Sequence, residues 1–152
     1  MIYRDTDLAY LAGFIDADGF IAINRYCPRK NDSDGRYGYN LRIGAVNTQR
    51  EVLEWIQNKF GGYIYKRKPS NPEKHRIAYA WYLDSKKAEA VLRLISPYLK
   101  RKKLQANIAI KFRETYDLSK YIHYENGKNI GLKIPEGIVE KREELRQEMK
   151  TL

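Results

Sequence analysis

Nine residues near the start, Leu11-Ala12-Gly13-Phe14-Ile15-Asp16-Ala17-Asp18-Gly19, restrict the fold more than any other stretch. They close a short amphipathic helix that begins near Asp5 or Thr6, either of which is a competent cap. Leu8, Leu11, Ala12 and Ile15 recur at i, i+3, i+4 and i+7, an apolar stripe that faces a core. Ala9, Gly13 and Ala17 recur at a spacing of four on another face. Small side chains let a second backbone come close, so this face suits helix-on-helix contact. A glycine inside a helix costs roughly 1 kcal/mol against alanine, and close packing gives Gly13 a reason. Asp16 and Asp18 fall in the last turn, where the helix dipole is negative and acids are disfavoured. Gly19 reads as a left-handed stop. A carboxylate held at that end makes sense beside a cation, whereas an isolated Asp-x-Asp-Gly is ordinarily a solvated turn.

After Gly19 the helical period gives way to alternation. Residues 20–26 read as a strand with mixed faces, and 28–35 as a polar, turn-rich loop. Residues 37–46 read as a second strand, with Tyr39, Leu41, Ile43 and Ala45 on one face and Gly38, Asn40, Arg42 and Gly44 on the other. The two should form an antiparallel hairpin. Thr48-Gln49-Arg50-Glu51 has the form of a capping box opening a helix, with Val52, Leu53, Ile56 and Phe60 inside and Gly61-Gly62 as the stop. A third strand over 63–68, a loop over 69–74 and a fourth strand over 76–83 follow. On the fourth strand Arg76 and Tyr82 share one face, and Tyr79 and Trp81 the other. Ser85 is expected to cap a helix that Pro97 ends. A further helix over 100–116 should bury Leu104, Ile108 and Phe112, and 117–134 reads as loop or short helix. A last helix after Pro135 carries Ile138, Leu145 and Met149 on one side, with its charges read as a solvated face. The expected class is α+β, in the order αββαββα with C-terminal helices. No internal repeat or linker is evident, so 1–152 reads as one domain.

The chain has 152 residues, enough for one real core. Its 29 Lys and Arg against 19 Asp and Glu give a net charge of +10. Nucleic acid is the first partner such charge suggests, although ribosomal and merely soluble proteins are as basic. Cys27 is the single cysteine, which excludes an internal disulfide and a cysteine-based zinc site. His75 and His123 lie far apart in sequence and make no ligand pair. There is no run of about 18 apolar residues to cross a membrane, and the charged Arg4-Asp5 interrupts any signal-peptide core. The expected location is a reducing cell interior, in cytoplasm or an organelle matrix.

Residues 11–19 resemble the signature of the LAGLIDADG homing endonucleases, departing from it only at Phe14. The resemblance implies a four-stranded antiparallel saddle that lies in the DNA major groove, backed by helices. Read with the alternation, the outward candidates for base contact are Asn24 and Tyr26, Asn40 and Arg42, and Tyr65 and Arg67. Asn suits adenine and Arg suits guanine, while a solvated sheet face remains the equal alternative for each. Lys66, Arg67, Lys68, Lys74 and Arg76 surround one hairpin and would grip phosphates. Lys100 to Lys103 form a basic run at a helix start, where cations are disfavoured and a nearby anion would explain them.

The family's small-residue helix pairs with a second copy of itself. With one motif in the chain, the resemblance implies a C2 homodimer through Ala9, Gly13 and Ala17. It also implies phosphodiester hydrolysis of both strands at a long pseudo-palindromic site, leaving 3′ overhangs. Asp18 and the Ala17 carbonyl would hold Mg2+, with Mn2+ or Ca2+ as other occupants of the site. Lys102 and Asn47 match the family's active-site periphery, and Asp16 has a structural part. A strand of about 8 residues spans roughly 27 Å, or ~8 base pairs, so two copies would cover somewhat more than ~16. No protein-splicing sequence flanks the motif, which favours an intron-encoded enzyme. The competing readings are a non-catalytic RNA maturase or DNA-binding regulator on the same scaffold, with intron RNA as a partner. A basic RNA-binding protein whose 13 tyrosines stack on unpaired bases is the third.

Overall fold

A computed structural model of the chain describes residues 3–26, 37–68, 76–116, 124–125, 128–129 and 136–152. The expected loops at 28–35 and 69–74, with Cys27, Lys74, His75 and His123, lie outside the described residues. Helix α1 (Asp5–Asp18) leads into strands β1 (Gly19–Tyr26) and β2 (Gly38–Asn47). Helix α2 (Arg50–Phe60), strands β3 (Tyr63–Arg67) and β4 (Ala78–Asp84), and helices α3 (Ser85–Ile95) and α4 (Lys103–Glu114) follow. The short strands β5 (Tyr124–Glu125) and β6 (Lys128–Asn129) pair with each other inside the stretch read as loop, and α5 (Glu136–Lys150) is last. The α+β order expected from the periodicities is the observed one.

The large sheet is antiparallel with strand order β1-β2-β4-β3, so the two hairpins meet along β2 and β4. Alternation divides its faces. Leu41, Ile43, Ala45, Trp81 and Leu83 point inward and are buried against Leu11, Ala12 and Ile15 of α1 and the inner faces of the other helices. Trp81 also donates its indole N–H to Gly61 O at 2.8 Å, which ties β4 to the end of α2. The chain turns there through Gly61 and Gly62, at φ +78 and +99, a region that glycine enters without a Cβ penalty. At Gly62 a Cβ would also lie 2.6 Å from Tyr82 O.

Several local expectations are corrected. Neither Asp5 nor Thr6 caps α1; Arg4 holds that place, without a side-chain bond. The capping box does not form, because α2 starts at Arg50 with Gln49 as its cap. Asn47 Oδ1 instead accepts the Gln49 N–H at 2.9 Å, an Asx-type bond two residues on that pre-empts Thr48. Ser85 is not a cap either: it is the first residue of α3, at φ +51, and Asp84 precedes it. Leu104 is 62% exposed, because α4 packs through Ala106, Ile108, Ala109 and Phe112. Arg76 lies ahead of β4 rather than on it. On α5 the charges are not all solvated. Arg142 is buried, donates to Thr115 Oγ1 and Thr115 O at 2.9 Å, and lies over the Tyr116 ring, which joins α5 to the end of α4.

Candidate active site and nucleic-acid interface

The end of α1 is the chemical focus. Gly19 leaves the helix in extended backbone, φ −93 and ψ 179, not in the left-handed form read from the sequence. It must be glycine for space: a Cβ there would sit 2.6 Å from Ile15 Cα and 2.9 Å from Gly44 O. The close approach sets the start of β1 directly against the helix end, so Asp18 sits at the rim of the sheet beside the last residue of β2. Asn47 Nδ2 donates to Asp18 Oδ2 at 3.4 Å, the one hydrogen bond to that carboxylate among the described residues. Asp18 is exposed, and Ala17 beside it is exposed as well.

Asp16 points the other way. Its carboxylate accepts three successive backbone N–H bonds, from Lys100 (2.7 Å), Arg101 (3.1 Å) and Lys102 (2.9 Å). The anion that the basic run called for is therefore, in part, the chain's own Asp16. In return Lys102 Nζ donates to Ile15 O at 2.8 Å and to Asp16 O at 2.7 Å. A cation there satisfies terminal carbonyls and meets the negative end of the helix dipole. Burial and the Arg101 charge lower the Lys102 pKa, against the opposing pull of Asp16 and Asp18. Lys102 thus stands beside the Asp18 end of α1, held by two carbonyls.

Burial works against ionisation of Asp16, but the three backbone donors and Lys102 outweigh it and hold its pKa below the usual value. A lowered carboxylate pKa gives stability that is full above the unfolded value of about 3.9. That stability is lost as pH falls through the folded value. Asp16→Asn should therefore cost about 1 kcal/mol at neutral pH, because solvent reaches this partly exposed carboxylate and its donors. The gap from the parent in denaturant melts should be constant above pH 5 and close below pH 4. A pH-independent gap would mean that the carboxylate's charge is not what the 100–102 turn requires.

The small-residue stripe faces outward. Ala9, Gly13 and Ala17 are all exposed, and a Cβ at Gly13 would meet nothing within 4 Å. Beside the stripe Tyr10 stacks on Phe14 and meets Trp55 edge-on, their centroids 6.3 and 5.0 Å away. Tyr10 is left 47% exposed.

The outer face of the sheet gathers most of the other candidates. The pairings Asn24↔Asn40, Ala22↔Arg42 and Tyr26↔Gly38 put Asn24, Tyr26, Asn40 and Arg42 on one side. Arg42↔Asp84, Gly44↔Tyr82, Tyr65↔Ala80 and Arg67↔Ala78 extend that side to Tyr65, Arg67 and Tyr82. Tyr82, left undecided on the fourth strand, belongs here, and Trp81 belongs to the core. Arg76 is exposed but off the sheet, at the approach to β4. Sequence reasoning missed Asp84, which Arg42 engages through two hydrogen bonds. The β2–β4 register brings that pair together across 42 residues, and no local pattern signals it.

The LAGLIDADG endonuclease family model matches residues 11–118. The chain belongs to the LAGLIDADG endonuclease family. Its fold is similar to that of the homing endonuclease I-CvuI in complex with its target in the presence of Ca, with a TM-score of 0.71 and 20% identity over 97% of this chain and 84% of that one. It is similarly close to the archaeal intron-encoded homing endonuclease I-Vdi141I complexed with DNA, with a TM-score of 0.72 and 19% identity over 98% and 85%. I-SmaMI bound to uncleaved DNA with calcium ions gives 0.67 and 17% over 97% of this LAGLIDADG chain, but only 46% of its own length. At such identities these likenesses concern the fold. No curated protein matches the chain. No described helix of this LAGLIDADG protein is long and apolar enough to cross a membrane.

Proposed function

We propose that this LAGLIDADG chain, as one domain over residues 1–152, is a homodimeric, intron-encoded homing endonuclease. It hydrolyses both strands of a long pseudo-palindromic DNA site. The observation that carries the reading is the conjunction, on α1, of an open small-residue face with an exposed carboxylate at its end. Among the described residues, no three His, Cys, Asp or Glu side chains gather at one place. One chain thus offers one exposed carboxylate, Asp18, at the tip of α1, and a two-fold axis through Ala9, Gly13 and Ala17 would bring the second beside it.

The donors fit a hard divalent cation. Among the described residues the Asp18 carboxylate carries one long bond, and with the Ala17 carbonyl as a second oxygen ligand it would make a set that suits Mg2+ and admits Mn2+ or Ca2+. When bound, such a cation supplies an activated water and stabilises the charge that develops on the leaving 3′ oxygen. The protein's own part is positional. Asn47 would orient the Asp18 carboxylate through that long bond, and its Oδ1 is itself held by the Gln49 N–H. Lys102, braced on the Ile15 and Asp16 carbonyls, would hold its positive charge at the Asp18 end of α1 to stabilise the DNA phosphate. Asn24, Tyr26, Asn40, Arg42, Tyr65 and Arg67 face the major groove, and Arg76 flanks it against phosphate. Cuts placed across the minor groove would leave short 3′ overhangs.

Selection of purified protein on a randomised duplex-DNA library in EDTA tests the binding half of this reading. The expected result is a site of two related half-sites, somewhat more than ~16 base pairs in all. An asymmetric site, or preference for an intron RNA over every duplex, would favour a binder on the same scaffold.

A further inference from the structure

Asp84 occupies the cap position of α3, yet its carboxylate makes no bond to the helix. It reaches across the sheet instead. Arg42 Nε and Nη2 donate to Asp84 Oδ1 and Oδ2 at 2.7 and 3.0 Å, along one edge of the guanidinium. The Arg42 guanidinium also lies over the Tyr82 ring, 4.3 Å from its centroid. That ring is held in turn by Tyr63 and Tyr65, with centroids 5.7 and 5.6 Å away. A carboxylate on one edge and an aromatic ring on one face therefore fix the guanidinium.

The device is poorly suited to stability. Even a bidentate pair at a partly exposed site contributes only about 1 kcal/mol, and α3 is left without the cap that Asp84 could supply. On a face proposed to meet DNA, a carboxylate also repels phosphates. What the pair does accomplish is orientation. Arg42 Nη1 has no hydrogen-bond partner among the described residues, and the side chain is 35% exposed. The free edge of the guanidinium, Nη1 with the second Nη2 hydrogen, is the fork that matches guanine O6 and N7 in the major groove.

We propose that Arg42 reads a guanine in each half-site, and that Asp84 and Tyr82 are positioning residues that present its free edge. The inference rests on the DNA-endonuclease reading above. It is tested by fluorescence anisotropy in EDTA on the selected duplex and on its single-base-pair variants. The parent protein should prefer guanine at one symmetry-related pair of positions by about 5- to 150-fold, the range for a good bidentate contact. Asp84→Asn should flatten that position to within about threefold and leave the others unchanged. Arg42→Lys, which keeps the charge but loses the planar fork, should do the same. A merely structural pair would weaken binding uniformly without moving one position. Site-specific binding with an unchanged profile in both variants overturns this inference alone. Absence of any sequence-specific binding overturns the endonuclease reading with it.

Discussion

Asp18→Asn is expected to abolish strand cleavage while leaving site binding within a few-fold of the parent. The carboxylate is exposed and, among the described residues, accepts only the Asn47 amide, so the fold loses almost nothing with its charge. A bound divalent ion contributes several kcal/mol of transition-state stabilisation. Losing its anionic ligand therefore corresponds to about 10³-fold or more in rate. The side chains proposed to read bases lie on the sheet and should be untouched. Single-turnover cleavage and equilibrium binding on the same duplex separate the two effects. Cleavage at the parental rate would remove Asp18 from the chemistry, and equal loss of binding would make its role structural.

Gly13→Leu should dissolve the proposed dimer without unfolding the chain. A Cβ at Gly13 meets nothing within 4 Å, and Ala9 and Ala17, one turn away on either side, are small. The isolated chain should tolerate the larger side chain and gain up to about 1 kcal/mol of helix propensity. Across a two-fold interface the same side chain intrudes twice. Overpacking costs of 1–3 kcal/mol at each copy give roughly 2–6 kcal/mol of lost association. Sedimentation should show a monomer with the parental circular-dichroism spectrum, its Tm lowered only by the lost association and so approaching the parent's as both are diluted, and cleavage should be lost with the dimer. An intact dimer would move the interface off this face. A monomer that has lost the parental circular-dichroism spectrum would mean that the stripe packs within the chain.

The first helix was legible because one period sorts its residues into three roles. Leu8, Leu11, Ala12 and Ile15 are buried, Ala9, Gly13 and Ala17 are open, and the acids fall at the end. The alternation of β2 was equally readable, since Tyr39, Leu41, Ile43 and Ala45 are all buried. Caps were less so. Thr48 and Ser85 have the right chemistry, but Asn47 forms a tighter local bond and Ser85 lies inside the helix. Leu104 misled because an apolar residue in the first turn of a helix need not share the face that the later turns bury. The contacts that organise the site were beyond local reading. Asp16 meets residues 84 to 86 positions away, and Arg42 meets Asp84 only because β2 lies beside β4. A pattern of charge can ask for an anion or a cation; the topology decides which one answers.

The most direct measurement is incubation of the selected duplex with purified protein in Mg2+ and in EDTA, followed by sequencing of both product ends. The expected result is cutting of both strands at symmetry-related positions near the centre of the site, in Mg2+ only, with short 3′ overhangs. An intact duplex in Mg2+, with site-specific binding retained, would contradict the endonuclease reading and leave this chain a DNA-binding protein built on a nuclease scaffold.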